Sequence, residues 1–207
     1  MNTRNRELPP PLMTSEAGSF AQQTIRERKP QIIARVREDH PYPEAVEAAL
    51  DEFRDEIAHD TIRPLPESAA YGQAERWRRA WESHAERTWF EVPWYFAEAY
   101  FYRRLLEAVR YFEPGRWEGH DPFGPQKSVQ IDHAVEGLEA LRPALADLGP
   151  RDCLNALVLA SLWSNRADLS NLTVDVGALG TGSAGGERHN LLIDDTDAAC
   201  ERLMAAD

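Results

Sequence analysis

Apolar positions recur at steps of three and four through most of the chain, the spacing that gathers them on one face of a helix. A first helix is predicted from Ser19, broken near Pro30, with Ile25, Ile32, Ile33 and Val36 turned inward. A second covers residues 43–58, where Val46, Leu50, Phe53 and Ile57 repeat, and Pro64 and Pro66 mark the connection that follows. Residues 72–88 predict a third helix with Trp77 and Trp81 one turn apart. From Pro93 the stripe Trp94, Ala97, Phe101, Leu105, Ala108 and Phe112 gives the most regular helix of the chain. Residues 114–125 read as a loop, and two more helices are predicted at 127–146 and 150–163, parted by Gly149 and Pro150.

The pattern changes after Asn165. A Gly- and Ser-rich stretch leads to HNLLIDD at 189–195, read as a short buried strand, and then to a helix over 196–204 capped by Thr196. A strand followed at once by a capped helix is how an α/β layer begins. The organisation is therefore an irregular arm at 1–15, a helical domain at 16–165, a flexible loop at 166–188 and the start of an α/β domain at 189–207. The fold class is mainly α.

Charge and cysteine usage narrow the function classes. The net charge of -12, from 35 acidic and 23 basic residues, argues against a nucleic-acid binder, which needs a basic face to displace counterions. Two cysteines without CxxC spacing speak for a reducing cytoplasm and against a disulfide scaffold. No run of apolar residues is long enough for a membrane helix, and the N-terminus lacks a signal-peptide core, so no membrane association is expected.

Two segments concentrate candidate chemistry: WFEVPWYFAEAYFYRR at 89–104 and SLWSNRADLS at 161–170. Glu98 and Tyr102 lie one turn apart, off the Trp94–Phe101–Leu105 stripe, and Arg103 and Arg104 follow. Such residues can wall a pocket, Arg gripping a phosphate and Glu accepting from a hydroxyl. They can equally form a Glu–Arg network between helices, and the pattern by itself favours that network. Asn165, Arg166, Asp168 and Ser170 fall where a helix ends, as caps or as polar groups presented to a site. Asp194 and Asp195 close the expected strand, where a hard metal is conceivable. GxGxxG at 180–185 is followed by a strand-like stretch, and no helix opens on its last glycine, so a dinucleotide loop is rejected in favour of a surface loop. The six histidines show no ligand spacing, so zinc is unsupported.

Residues 19–30 (SFAQQTIRERKP), the group Trp94, Glu98, Tyr102, Arg103 and Arg104, residues 162–170 (LWSNRADLS) and LLIDD at 191–195 together resemble the metal-dependent damage-control phosphatase family. The subfamily is the one once described as protein-carboxyl methyltransferase-like. The resemblance implies an N-terminal helical domain leading into an α/β/α metal-binding domain, of which residues 189–207 supply only the first strand–helix unit. It implies hydrolysis of small phosphorylated metabolites such as sugar phosphates, with a divalent cation (Mg, Mn, Co or Ni) polarising the phosphoryl group. Glu98, Arg103, Asn165 and Asp168 are then assigned to pocket lining or substrate support.

The family's DNxGxE metal motif does not occur in these 207 residues. The metal ligands are therefore unknown, no catalytic residue is assigned, and the expectation is a fragment, a half-enzyme completed by a separate chain, or an inactive protein. The alternative is a non-catalytic helical binding module. Carboxyl methyl transfer is the weaker one, since no methyl-donor signature is present.

Overall fold

The computed structural model describes residues 9–69, 71, 73–162 and 191–205. The chain is mainly α, and it divides into two compact units, one ending at Gly124 and one beginning at Pro125.

The first unit opens with α1 (Phe20–Gln23), whose N-cap Ser19 accepts from the Gln22 N–H. The expected break at Pro30 does not occur. Thr24–Arg28 forms a π turn, and α2 (Lys29–Glu38) continues directly from it. Proline has no N–H, and its ring crowds the carbonyl four residues back, here Arg26. Widening the turn relieves that clash, and the Lys29 N–H reaches back five residues to the Thr24 carbonyl.

α3 (Glu44–His59) starts at Pro43 and carries Glu44 and Glu47 in its first turn, where the helix dipole favours acids. Val46, Leu50, Phe53 and Ile57 are all buried, as their spacing requires. α4 (Ala74–Glu82) is shorter than expected, because residues 83–86 leave the helix as turns and Glu86 takes a left-handed conformation. α5 (Trp94–Ala108) buries Ala97, Phe101 and Leu105, but also Tyr100 and Arg103, so its inward face is wider than the apolar stripe. These faces join Trp89, Val92, Val109 and Trp117 in one core.

The arm is tied down over its described part. Met13 bridges Pro93, Leu12 accepts from the Trp94 N–H at 2.7 Å, and fully buried Thr14 is bonded to Val92 through both main chain and hydroxyl.

The second unit contains α6 (Gly124–Ala146, beginning at the boundary residue), α7 (Pro150–Leu162) and α8 (Thr196–Met204). α7 and α8 are joined by Arg151–Glu201 at 2.9 Å and Asn155–Asp197 at 3.1 Å. The expected strand is corrected: residues 191–195 run as coil and bend, with Leu192 and Ile193 exposed. A strand's amides and carbonyls need a neighbouring ladder, and among the described residues none exists. The cap is also displaced by one residue. Asp195 stands at the N-cap, and Asp194 accepts from the Thr196 N–H at 3.1 Å. No described helix is long and apolar enough to cross a membrane.

Candidate functional site

Helix α5 sorts the polar residues of the aromatic segment onto different neighbours. Glu98 faces α2, where its Oε2 lies 2.6 Å from Lys29 Nζ. Lys29 is wholly buried, and its ammonium also sits 4.5 Å from the Phe101 ring centre and 4.4 Å from that of Tyr102. The π turn before Pro30 sets the register that brings Lys29 to this cage. Burial lowers the amine from its usual 10.5 to about 8, against the pull of the Glu98 carboxylate and with a smaller push from Arg28. Glu98 keeps one fifth of its side chain in solvent and is the open end of the pair.

Arg103 stands five residues further on, about 140° around the helix. Its Nη2 donates to the Tyr71 carbonyl at 3.1 Å and pairs with Glu107, while the guanidinium covers the Phe112 ring at 4.3 Å. Nε and Nη1 are buried without a hydrogen-bond partner among the described residues. Glu98 and Arg103 are thus not brought together. Asn165 and Asp168 lie outside the described residues.

The inter-helix network falls to Arg104. Its two Nη atoms meet the two oxygens of Glu56 on α3 at 3.1 and 2.7 Å. Fully buried Glu56 also accepts from the Trp89 indole and the Arg63 main chain, both at 3.1 Å. Beside this network lies a cleft of about 490 Å³, walled by Glu52, Arg63, Pro64, Pro66, Glu67 and Glu107 among others. The carbonyls of that wall are held by side chains: Arg78 takes those of Pro66, Glu67 and Ala69, and Tyr100 and Arg104 share that of Arg63.

Sequence reasoning missed Lys29, though a signal existed. Positions 25, 29, 32 and 36 follow the inward spacing, so a lysine stands in the apolar stripe. The described residues do not fit a divalent cation, since no group of three His, Cys, Asp or Glu side chains converges on one point. The Asp194 carboxylate is engaged at the start of α8, where Asp195 stands at the N-cap without a side-chain cap bond.

A helical first unit that buries charged pairs beneath an aromatic helix, followed by a second helical unit, is the architecture to be placed. Residues 24–207 match the model of the damage-control phosphatase ARMT1-like domain, and the chain belongs to that family. It is 31% identical over 196 residues to damage-control phosphatase ARMT1 of Rattus norvegicus, covering 79% of this chain and 44% of the relative. The Homo sapiens protein of the same name is 28% identical over 196 residues, with the same coverage. That of Danio rerio is 28% identical over 197 residues, covering 79% and 43%. The chain spans less than half the length of these curated relatives.

Proposed function

We propose that these residues form the helical, substrate-side portion of a metal-dependent phosphoester hydrolase acting on small phosphorylated metabolites such as sugar phosphates. The family match over residues 24–207 is the observation that carries this reading. In it, the partly open Glu98, paired with the buried Lys29, accepts from a substrate hydroxyl, and Arg103, Asn165 and Asp168 are carried as further substrate-supporting residues. The divalent cation (Mg, Mn, Co or Ni) and its ligands come from an α/β portion bearing Asp-Asn-x-Gly-x-Glu, a motif these residues lack. The 207 residues alone are inactive. The two free cysteines accord with a cytosolic setting.

The test is phosphate release from fructose 1-phosphate, with Mn, Co, Ni or Mg, by this chain mixed with a chain carrying that motif. Release that needs both chains and stops with EDTA supports the reading. If mixing yields no release in any metal, while the isolated chain binds fructose 1-phosphate equally with and without EDTA, the non-catalytic binding module replaces it.

A further inference from the structure

A second cleft, of about 350 Å³, opens at the far end of α5, lined by Pro41, Pro43, Pro114, Trp117, Arg110, Arg116 and Glu113 with Gly115. Its volume falls in the range of small-molecule sites. The floor is rigid. Trp117, only 8% exposed, is packed by Tyr42 at 4.6 Å and His120 at 5.2 Å, and His40 behind them is bonded to the Val36 carbonyl. Three prolines add fixed walls without main-chain donors.

Two guanidinium groups stand over this floor. Arg116 lies across the Trp117 ring, its carbon 5.0 Å from the ring centre, and makes no ion pair among the described residues. A guanidinium stacked in this way keeps its in-plane N–H groups directed outward, free for a planar or tetrahedral anion. Among the described residues Arg110 has only a loose partner, Glu113 at 3.7 Å, and both side chains are about half exposed.

The backbone at Arg110 is the second observation. Arg110 follows the α5 C-cap with φ 60, and the Tyr111 N–H closes on the Leu106 carbonyl at 2.9 Å. This is the position where glycine is favoured, because a side chain in the left-handed region is strained. An arginine nevertheless occupies it, and that arginine lines the cleft.

The larger cleft beside α3 gives the contrast. There Arg104 is locked on Glu56, Arg63 faces Glu52, Glu56 and Asp60, and carboxylates outnumber cations. Here two arginines face one glutamate, in a chain whose overall charge of -12 repels anions. Three acids act on Tyr42 in the floor, Glu47, Asp121 and Asp39, of which Glu47 is held by Arg37 at 2.6 Å.

From these observations we infer that the Pro41–Arg110–Trp117 cleft is a binding site for a small phosphomonoester bearing a ring. The phosphate displaces Glu113 and takes donors from Arg110 and Arg116, and the ring packs between the prolines and the tryptophan edge. This inference is independent of the proposed phosphatase activity, which uses none of these residues.

Adenosine 5′-monophosphate, adenosine and inorganic phosphate serve as probes, titrated into the whole chain and followed by NMR at Gly115, Arg116 and the Trp117 indole. The expected result is saturable shifts at those three groups with the monophosphate, and binding about tenfold weaker or worse for the other two probes. Arg110→Gly and Arg116→Gln are each expected to weaken the monophosphate about tenfold, with the melting temperature of Arg110→Gly unchanged or raised. Shifts confined to other regions, equal binding of inorganic phosphate, or full affinity in the folded Arg110→Gly variant each overturn the inference.

Discussion

Glu56 on α3 and Arg104 on α5, 48 residues apart in sequence, meet as a two-point ion pair with bonds of 2.7 and 3.1 Å. The carboxylate has no solvent access and serves Trp89 and Arg63 as well, so one side chain fixes α3, α5 and two connecting segments. Removing one partner strands the other charge in the interior. Glu56→Ala is expected to cost about 3–5 kcal/mol, and the double replacement Glu56→Leu with Arg104→Met to cost less than the two singles together. Urea unfolding of the wild type, Glu56→Ala, Glu56→Leu, Arg104→Met and the double variant measures both; additive effects of Glu56→Leu and Arg104→Met would show that the pair is not coupled.

Lys29 gives a stability change with pH whose sign is opposite to that of a salt-bridged lysine gaining charge on folding. Its folded pKa is depressed to about 8 by burial, while the unfolded lysine titrates near 10.5. Between these values the unfolded chain holds one proton more, so stability rises with pH, by up to about 1.4 kcal/mol per unit. Burial raises Tyr42 and Tyr100 to about 12, and unfolded tyrosines ionise near 10, so the rise is read between pH 8 and 10. Lys29→Met should flatten it, and thermal melts across that window decide; a flat wild-type profile would refute the assignment.

Arg110→Gly relieves about 1–2 kcal/mol of left-handed strain and restores about 0.5–1 kcal/mol of unfolded-chain entropy. The net expectation is a gain of roughly 0.5–1 kcal/mol, the 3.7 Å contact to Glu113 adding little at half-exposed side chains. Calorimetry on the single variant is sufficient, and a lowered melting temperature would contradict the strain argument.

Thr14 is expected to be intolerant of an isosteric change. Its hydroxyl donates to the Val92 carbonyl at 2.8 Å and accepts from the Val92 N–H at 3.1 Å, with no exposure. Thr14→Val leaves that N–H buried and unpaired, at about 1–3 kcal/mol. Hydrogen exchange at Val92 should accelerate in the variant; unchanged protection would mean the arm is held by other bonds.

Periodicity made the helices legible because burial of one face every 3.6 residues leaves its mark directly in the order of residues. Val46, Leu50, Phe53 and Ile57 are buried as their spacing requires, and so are Ala97, Phe101 and Leu105. Pro30 was misleading. Proline's cost to a helix is local, but a single wide turn absorbs it when the following residues have a core to enter. HNLLIDD was misleading for the converse reason, since a strand is specified by its neighbours, and apolar content cannot provide them.

For the candidate site, the sequence by itself determined that Glu98, Arg103 and Arg104 share one aromatic helix, because that is a matter of spacing. Only the tertiary structure decided their partners. Lys29, Tyr71 and Glu56 come from three other segments, and an ion pair across such distances leaves no periodic trace. Which arginine closes a network and which keeps unfilled donors depends on desolvation and on the few ångströms between side chains, and those exist only once the chain has folded.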